Sequence, residues 1–406
     1  MDLFPIHLFV ILVLANRYVL GRILRTLRRG QLDQVDDAFE PTVAIVIPLF
    51  NEGEGIYHTI LSLLGQDYPR ERLEVIVVDD ASRDDSYAWA CRAAAGRPQV
   101  KVLRNSANQG KRHAINHAVE ATSSEIVVSV DSDVIVDRRA VRELVRRFTS
   151  ERIAAVGGRT YVANRDRSWL TRMVEVKFHF AQEWLKDLEA ACRTVLCLSG
   201  CLTAYRRTVL EELRPVLERR TLAGVPIRYG EDRFLTRQII KAGYQTVFTT
   251  AAFCFTAAPS DLRGYFSQQL RWRRSNLIDF LGGLSHAWRM HPLVGVHYIS
   301  QRALLVAYPA VLVSAALNDE IWEVMALHAG FVVLLGVVYR FETRALPPER
   351  RVSALAFVPM AVLMPVSYVV LTPLALLTLD SGSWETRGAS RPAAAAAPGA
   401  MPAPAA

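Results

Sequence analysis

Apolar and polar positions follow two regimes along the chain. Leu3–Leu20 is a dense apolar run, and three more lie near the other end, Pro292–Leu317, Ile321–Tyr339 and Ser353–Leu379. Each approaches or exceeds the roughly 20 apolar residues that a membrane-spanning helix needs. Residues 41–260 have instead the mixed character of a soluble domain. There Val43–Ile47 is an unbroken apolar run ending at Pro48, and Leu73–Val78, interrupted only by Glu74, ends at Asp79-Asp80. Val100–Leu103 and Glu125–Val130 repeat the pattern, while Glu54–Gly65 and Gly110–Ala121 between them carry helical spacing. This alternation predicts an α/β fold, a doubly wound and mostly parallel sheet with helices on both faces. Ligands in such sheets bind beyond the carboxyl ends of the strands. The expected division is an N-terminal transmembrane anchor (1–30), an α/β domain (41–258), interfacial helices (259–290), three transmembrane α-helices (292–380) and a tail (381–406). The tail is rich in Ala and Pro, has almost no large apolar residues to build a core, and is expected to be disordered.

With 406 residues, 51% of them hydrophobic, the chain is long enough for one large domain plus several spans, and its net charge is +8. Nucleic acid is not the expected partner, because the basic residues border the apolar blocks rather than form a basic domain. Arg17, Arg22, Arg25, Arg28 and Arg29 lie at or after the first block; Arg340, Arg344, Arg350 and Arg351 separate the last two. The connection after the second block carries Asn318, Asp319 and Glu320. Lys and Arg are retained on the cytoplasmic side. The pattern therefore predicts a multi-pass protein of the inner (plasma) membrane, with the middle domain in the cytoplasm and both termini outside. The first block is either a tilted span or an interfacial anchor, since Asn16 and Arg17 interrupt it. It does not read as a cleaved signal peptide, because Asp2 precedes the apolar run and the positive charges follow it. Arg302, inside the second block, would cost about 2.5–3.5 kcal/mol at a helix centre. It is expected either near an interface or facing a polar pathway. Cys91, Cys192, Cys197, Cys201 and Cys254 form no C-x-x-C pair and read as buried thiols.

The polar clusters fall at the predicted strand ends. Pro48–Glu52 follows the first strand, Asp79–Ser82 the second, Asn105–Lys111 the third and Asp131-Ser132-Asp133 the fourth. One such cluster is ordinary turn chemistry, but four on one sheet edge mark a crevice. Asp131 and Asp133 offer two hard oxygen ligands to a divalent cation, Mg²⁺ or Mn²⁺, whose shell a nucleotide diphosphate would complete. Lys111 and Arg112, at a helix start, favour phosphate. Without G-x-x-x-x-G-K-[ST], a P-loop nucleotidase is not supported. In Tyr229–Arg233, Glu231 and Asp232 precede a helical run, Phe234–Lys241; beyond favouring a helix N-terminus, a carboxylate there can take the proton of an attacking hydroxyl. Downstream lies Gln268-Gln269-Leu270-Arg271-Trp272, whose Trp272 is either an interfacial anchor or a flat platform for a sugar ring.

In this order, D-x-D, the Glu-Asp pair and Q-x-x-R-W (Gln268, Arg271, Trp272) resemble those of the processive family 2 glycosyltransferases. That group includes hyaluronan, cellulose, chitin and nodulation-type chitooligosaccharide synthases, and the likeness covers roughly Val43 to Asn276. The resemblance implies a GT-A fold and that Pro48, Glu52 and Asp80 hold uridine with support from Asp79. It also implies that Lys111 contacts the nucleotide, that Asp131 and Asp133 hold nucleotide and metal, and that Asp232 is the catalytic base. Ser199 and Gly200 would lie beside the acceptor, with Gln268, Arg271 and Trp272 at the acceptor and diphosphate. Two positions depart from the pattern: Cys201, where many relatives have proline, and Ala81, where they often have glycine.

One span before the domain and three after it look most like the nodulation-type enzymes. The expected reaction is inverting, metal-dependent, processive transfer from a UDP-sugar, with UDP-N-acetylglucosamine favoured, to a growing β-linked saccharide. Hyaluronan synthesis, which adds UDP-glucuronic acid, is the alternative within the group, and single addition to a lipid carrier is a further one. From another class comes a polysaccharide channel with a nucleotide-sensing domain, which would have no need of Asp232. Beyond donor, acceptor and bilayer, a homo-oligomer or an export partner remains open.

Overall fold

The computed structural model describes residues 19–379 apart from 33, 223, 228 and 347–350. The first apolar block, save Val19 and Leu20, and the Ala/Pro tail lie outside the described residues.

Among the described residues ten strands follow in chain order: β1 Val43–Leu49, β2 Leu73–Asp79, β3 Val100–Arg104, β4 Ile126–Ser129, β5 Val134–Val136, β6 Ile153–Val162, β7 Thr203–Arg206, β8 Thr221–Leu222, β9 Val225–Pro226 and β10 Gln245–Thr256. Eight form one sheet in the order β3-β2-β1-β4-β7-β6-β10-β5, and β8-β9 is a separate ribbon. Every residue of β1 is buried, as expected of a strand covered on both faces. The two faces of the sheet carry two cores. Ile45 and Ile47 join Ile56 and Ile60 of the helix Gly55–Leu64 in one, and Ala44 and Val46 join Ala114 and Ala118 of the helix Lys111–Glu120 in the other.

Strands β1 to β4 pair in parallel, as their alternation with helices predicts. The other half is mixed rather than mostly parallel. β7 runs antiparallel to both β4 and β6, β10 is parallel to β6, and β5 closes the edge antiparallel to β10. Pro48 is tolerated in a central strand because of where the ladder stops. Val46 accepts from the Val130 N–H on the β4 side, so Pro48, two residues on, would direct its missing N–H to that same side. The β1–β4 register has ended by then, at Val46–Ser129.

Among the described residues three apolar segments, Pro292–Leu317, Ile321–Glu342 and Ala354–Leu377, are long and apolar enough to cross a membrane. Their outer faces expose Val306, Leu317, Trp322, Leu327, Leu334, Phe341, Val362 and Leu377, an apolar surface that suits lipid rather than water. The third is broken into a 3₁₀ turn and two helices, Met360–Val369 and Leu371–Leu377. Pro373 cannot donate to the carbonyl four residues earlier, that of Val369, where the first of these helices ends.

The helix Leu262–Gly283 joins the sheet domain to these segments. Its Asp279 meets Arg237 Nε at 3.0 Å and Arg302 Nη2 at 3.7 Å, all three side chains being nearly inaccessible. Arg302 also lies 3.4 Å from Asn276 Oδ1. The charge inside the second apolar block thus faces the protein, against a carboxylate. A second set of ion pairs ties the N-terminal helix Gly21–Leu27 to the same assembly. Arg22 reaches Asp187 (3.1 Å) and Glu342 (2.5 Å), and Glu342 also accepts from Trp184 Nε1 (2.8 Å) and pairs with His179 Nε2 (2.7 Å).

Candidate active site

The crevice opens at the carboxyl ends of β1, β2 and β4, where each strand delivers a polar residue. Asp79 ends β2 with its carboxylate buried, 3.0 Å from Arg104 Nε and accepting the Ser82 N–H at 3.2 Å. Asp80, also buried, accepts from Asn105 Nδ2 (2.7 Å), the Gly110 N–H (2.7 Å) and the Gln109 N–H (3.1 Å). Its carboxylate thereby shapes the loop that leads to Lys111. Ala81 has φ 59°, a left-handed conformation that costs a residue with a Cβ on the order of 1 kcal/mol. Glycine would adopt it without that cost, which gives this departure a backbone consequence although no charge changes. Glu52 accepts from Ser132 Oγ at 3.4 Å, linking the turn after β1 to the Asp131–Asp133 loop.

The electrostatic centre lies where this loop meets the helix Glu231–Lys241. Lys111 Nζ is 2.7 Å from Asp131 Oδ1 and 2.8 Å from Glu231 Oε1. Burial opposes the charge on Lys111, but Asp131, Glu231 and Asp232 outweigh it and hold the ammonium well above the usual lysine range. Burial likewise opposes ionisation of Glu231, yet the Lys111 ammonium holds its carboxyl below the usual range. Asp232 goes the other way: burial and then the neighbouring Glu231 charge raise it. Two adjacent carboxyl groups are thus driven apart, which is how one site keeps an anionic partner for a cation beside a group able to take up a proton.

Two glycines permit this approach. A Cβ on Gly200 would lie 2.5 Å from Lys111 Nζ and 3.5 Å from Asp131 Oδ1. Gly230, at φ 67°, starts the Glu231 helix, and a Cβ there would collide with Ser275 Oγ at 2.0 Å. Arg220 donates to the Tyr229 (2.7 Å) and Gly230 (3.0 Å) carbonyls and fixes the turn. Through Gly230 the helix Leu262–Gly283 abuts the carboxylates, and Trp272 lies one turn before Ser275, roughly 4.5 Å along the axis. Trp272 is 36% exposed and packs on Phe178 with ring centroids 6.3 Å apart. The Gln268 side-chain oxygen is buried without a hydrogen-bond partner, as a group awaiting a ligand would be.

Lys111, Asp131, Gly200 and Asp232 therefore come together, and Gln268 and Trp272 lie on the helix that adjoins them. Asp79 and Asp80 act on the walls of the crevice. Ser199 holds the Gly200 turn, accepting from the Cys201 N–H (3.3 Å) and, through its carbonyl, from Thr203 Oγ1 (2.6 Å). Glu231 as the partner of Lys111 was not assigned from sequence, although its place beside Asp232 was a signal. Cys201 places its sulfur 3.5 Å from Asp131 Oδ2, with burial and then the Asp131 charge keeping the thiol protonated.

The donor set is hard oxygen, and Lys111 already shows that a cation is stable against Asp131, so the residues fit a divalent metal ion. His179, Glu183 and Glu342 also gather three ligand-type groups. There Arg159 pairs with Glu183 and Arg22 with Glu342, which makes it an ion-pair cluster.

Residues 41–275 match a family model described as glycosyltransferase like family 2. Similar proteins named N-acetylglucosaminyltransferase occur in Azorhizobium caulinodans (29% identical, 86% of this chain and 88% of that protein) and Bradyrhizobium diazoefficiens (31%, 86% and 72%). A third is from Rhizobium meliloti (30%, 86% and 82%). Among solved structures, the mannosyltransferase PcManGT of Pyrobaculum calidifontis, in complex with GDP-Man and Mn²⁺, matches with a TM-score of 0.58 at 21% identity, over 92% of this chain and 99% of that one. That likeness supports the GT-A fold.

Replacing Lys111 with methionine is expected to lower the thermal midpoint most at neutral pH, by the equivalent of about 2 kcal/mol, because half-buried Asp131 and Glu231 lose the counter-charge of a buried lysine. The deficit should shrink as falling pH protonates the carboxylates. A deficit independent of pH would count against this electrostatic account.

Proposed function

The chain belongs to the family 2 glycosyltransferases, and on that premise we propose that it extends a saccharide with N-acetylglucosamine taken from UDP-N-acetylglucosamine, at the cytoplasmic face of a membrane. The relatives named N-acetylglucosaminyltransferase support the choice of sugar. The observation that carries the mechanism is the pairing of an Asp232 raised by burial with a cation locus at Asp131.

Asp232 takes the proton of an acceptor hydroxyl as that oxygen bonds to the anomeric carbon of the donor. The bond from this carbon to the diphosphate oxygen breaks, and UDP leaves with the electron pair. A single displacement inverts the anomeric centre, so an α-linked donor gives a β-linked product and no enzyme nucleophile is required. A divalent ion, Mg²⁺ or Mn²⁺, held by Asp131 and Asp133, would neutralise the departing diphosphate. Lys111 lies beside this locus and adds a further positive charge toward the phosphates. Pro48, Glu52, Asp79 and Asp80 form the uridine side of the crevice. Ser199, Gly200, Gln268, Arg271 and Trp272 form the acceptor side, where an aromatic ring can hold successive sugars and favour repeated addition.

We infer the matching division of the chain: residues 41–258 transfer the sugar, 259–290 lie at the interface and 292–380 cross the bilayer, while the expected anchor (1–30) and tail (381–406) fall mostly or wholly outside the described residues. Basic residues beside the spans favour cytoplasmic placement of the transfer domain, with both termini outside. Homo-oligomerisation or an export partner would complete a route outward for the product.

In membranes supplied with Mn²⁺, UDP-N-acetylglucosamine alone should yield a ladder of N-acetylglucosamine oligomers on sizing. Product only with UDP-glucuronic acid also present would replace this reading with hyaluronan synthesis, and single additions would remove processivity.

Asp232→Asn should bind UDP as the wild type does but lose about 10²–10⁴-fold in turnover. In the wild type, activity should fall on the acid side at a pH above the usual aspartate range, because the base must be ionised. Unchanged turnover in the variant would remove Asp232 from this role.

A further inference from the structure

The helices Trp169–His179 and Leu262–Gly283 meet beside the Trp272 platform, and the group at their contact is Lys177. Its Nζ donates to Gln269 Oε1 at 2.6 Å and to Tyr265 OH at 3.3 Å. It stands 5.2 Å from the Tyr265 ring centroid and 6.0 Å from that of Trp272. Tyr265, Gln269 and Trp272 recur at helical spacing and form one stripe facing it. Among the described residues no carboxylate forms an ion pair with Lys177. The nearby charge is Arg273, and burial followed by that like charge brings the ammonium down to about 7.

A lysine that only braced two helices would be stabilised by a carboxylate or replaced by an apolar side chain. Lys177 is instead set against a phenol, an amide oxygen and aromatic faces. An ammonium has three N–H donors, and these neighbours take two. The third can serve an oxygen of whatever rests on Trp272. Gln268, next in sequence to Gln269, meanwhile has a buried side-chain oxygen without a donor. The surroundings therefore offer a strong donor and an acceptor next to a flat ring. A 2-acetamido group presents the complement, with a carbonyl oxygen that accepts and an N–H that donates.

We propose that Lys177 is a specificity-determining residue of the acceptor site, donating to the acetamido carbonyl of the sugar stacked on Trp272, with Gln269 and Tyr265 holding its ammonium in place. This rests on the acceptor assignment of Trp272 given above, but not on transfer taking place.

The test is binding of N-acetylglucosamine tetramer and of cellotetraose to full-length, detergent-solubilised protein, followed by saturation-transfer NMR. The wild type should prefer the acetamido sugar. Lys177→Met should weaken that sugar about tenfold, the loss of one hydrogen bond to a charged group, leave cellotetraose within about twofold, and leave UDP binding unchanged. Lys177→Arg should recover part of the preference. Wild-type affinity for the tetramer should also decline as pH rises through about 7, where Lys177 loses its proton, and this dependence should vanish in Lys177→Met. Equal weakening of both sugars, no weakening, or no binding of the tetramer to the wild type would each overturn the proposal. Trp272→Ala separates the two readings. If it abolishes binding while Lys177→Met preserves the preference, the acceptor site stands and the role of Lys177 falls. If it leaves both sugars bound, the acceptor assignment itself fails.

Discussion

Three half-buried carboxylates, Asp131, Glu231 and Asp232, coexist at one point of the fold because a cation lies among them. Like charges at such separations repel by several kcal/mol in a medium less polar than water. The Lys111 ammonium, within hydrogen-bond distance of two of them, removes most of that cost. The cluster draws on separate parts of the chain: the turn after β4 gives Asp131, a helix start gives Lys111 and another gives the Glu231-Asp232 pair. Gly200 and Gly230 matter because each leaves space that a single methyl group would fill. Such a locus suits the proposed transfer, whose departing group would bring its own negative charge to the same place.

The same constraint links the sheet domain to the apolar segments. Leu262–Gly283 packs against Gly230 through Ser275, carries Trp272 one turn away, and ends near Asp279. Asp279 stands between Arg237 of the sheet domain and Arg302 of the second apolar block. A single helix thereby fixes Trp272 relative both to the carboxylates and to the segments suited to a bilayer. On the opposite flank, Glu342 gathers Arg22, His179 and Trp184. Buried ion pairs of this kind contribute more to fixing one arrangement than to net stability, because desolvation offsets much of their attraction.

Much of the parallel half of the sheet was legible in the sequence. Val43–Ile47, Leu73–Val78, Val100–Leu103 and Glu125–Val130 are short apolar runs stopped by polar residues, and each became a strand within a residue or two of those limits. The mixed half was not, because β10 breaks its apolar residues with Thr, Gly157 and Gly158 interrupt β6, and the two pair across almost a hundred residues, beyond the reach of any local period. Asp131 and Lys111 were read onto one crevice from their places at a strand end and a helix start, and there the structure brings them within 2.7 Å of each other. The site was obscure where partners meet only in three dimensions. Glu231 could equally serve a helix start, Asp80 could equally face a ligand or bind its own loop, and Lys177 belongs to a helix with no motif of its own. Arg302, read as either interfacial or facing a polar pathway, proved to face Asp279, a residue no nearby spacing connects to it.

The most direct measurement is Mn²⁺ titration of the full-length protein in the presence of UDP, followed by electron paramagnetic resonance. The account predicts a bound Mn²⁺ signal in the wild type that is lost or greatly weakened in both Asp131→Asn and Asp133→Asn. Undiminished Mn²⁺ affinity in the two variants would contradict the placement of the cation, and with it the charge balance on which the proposed transfer depends.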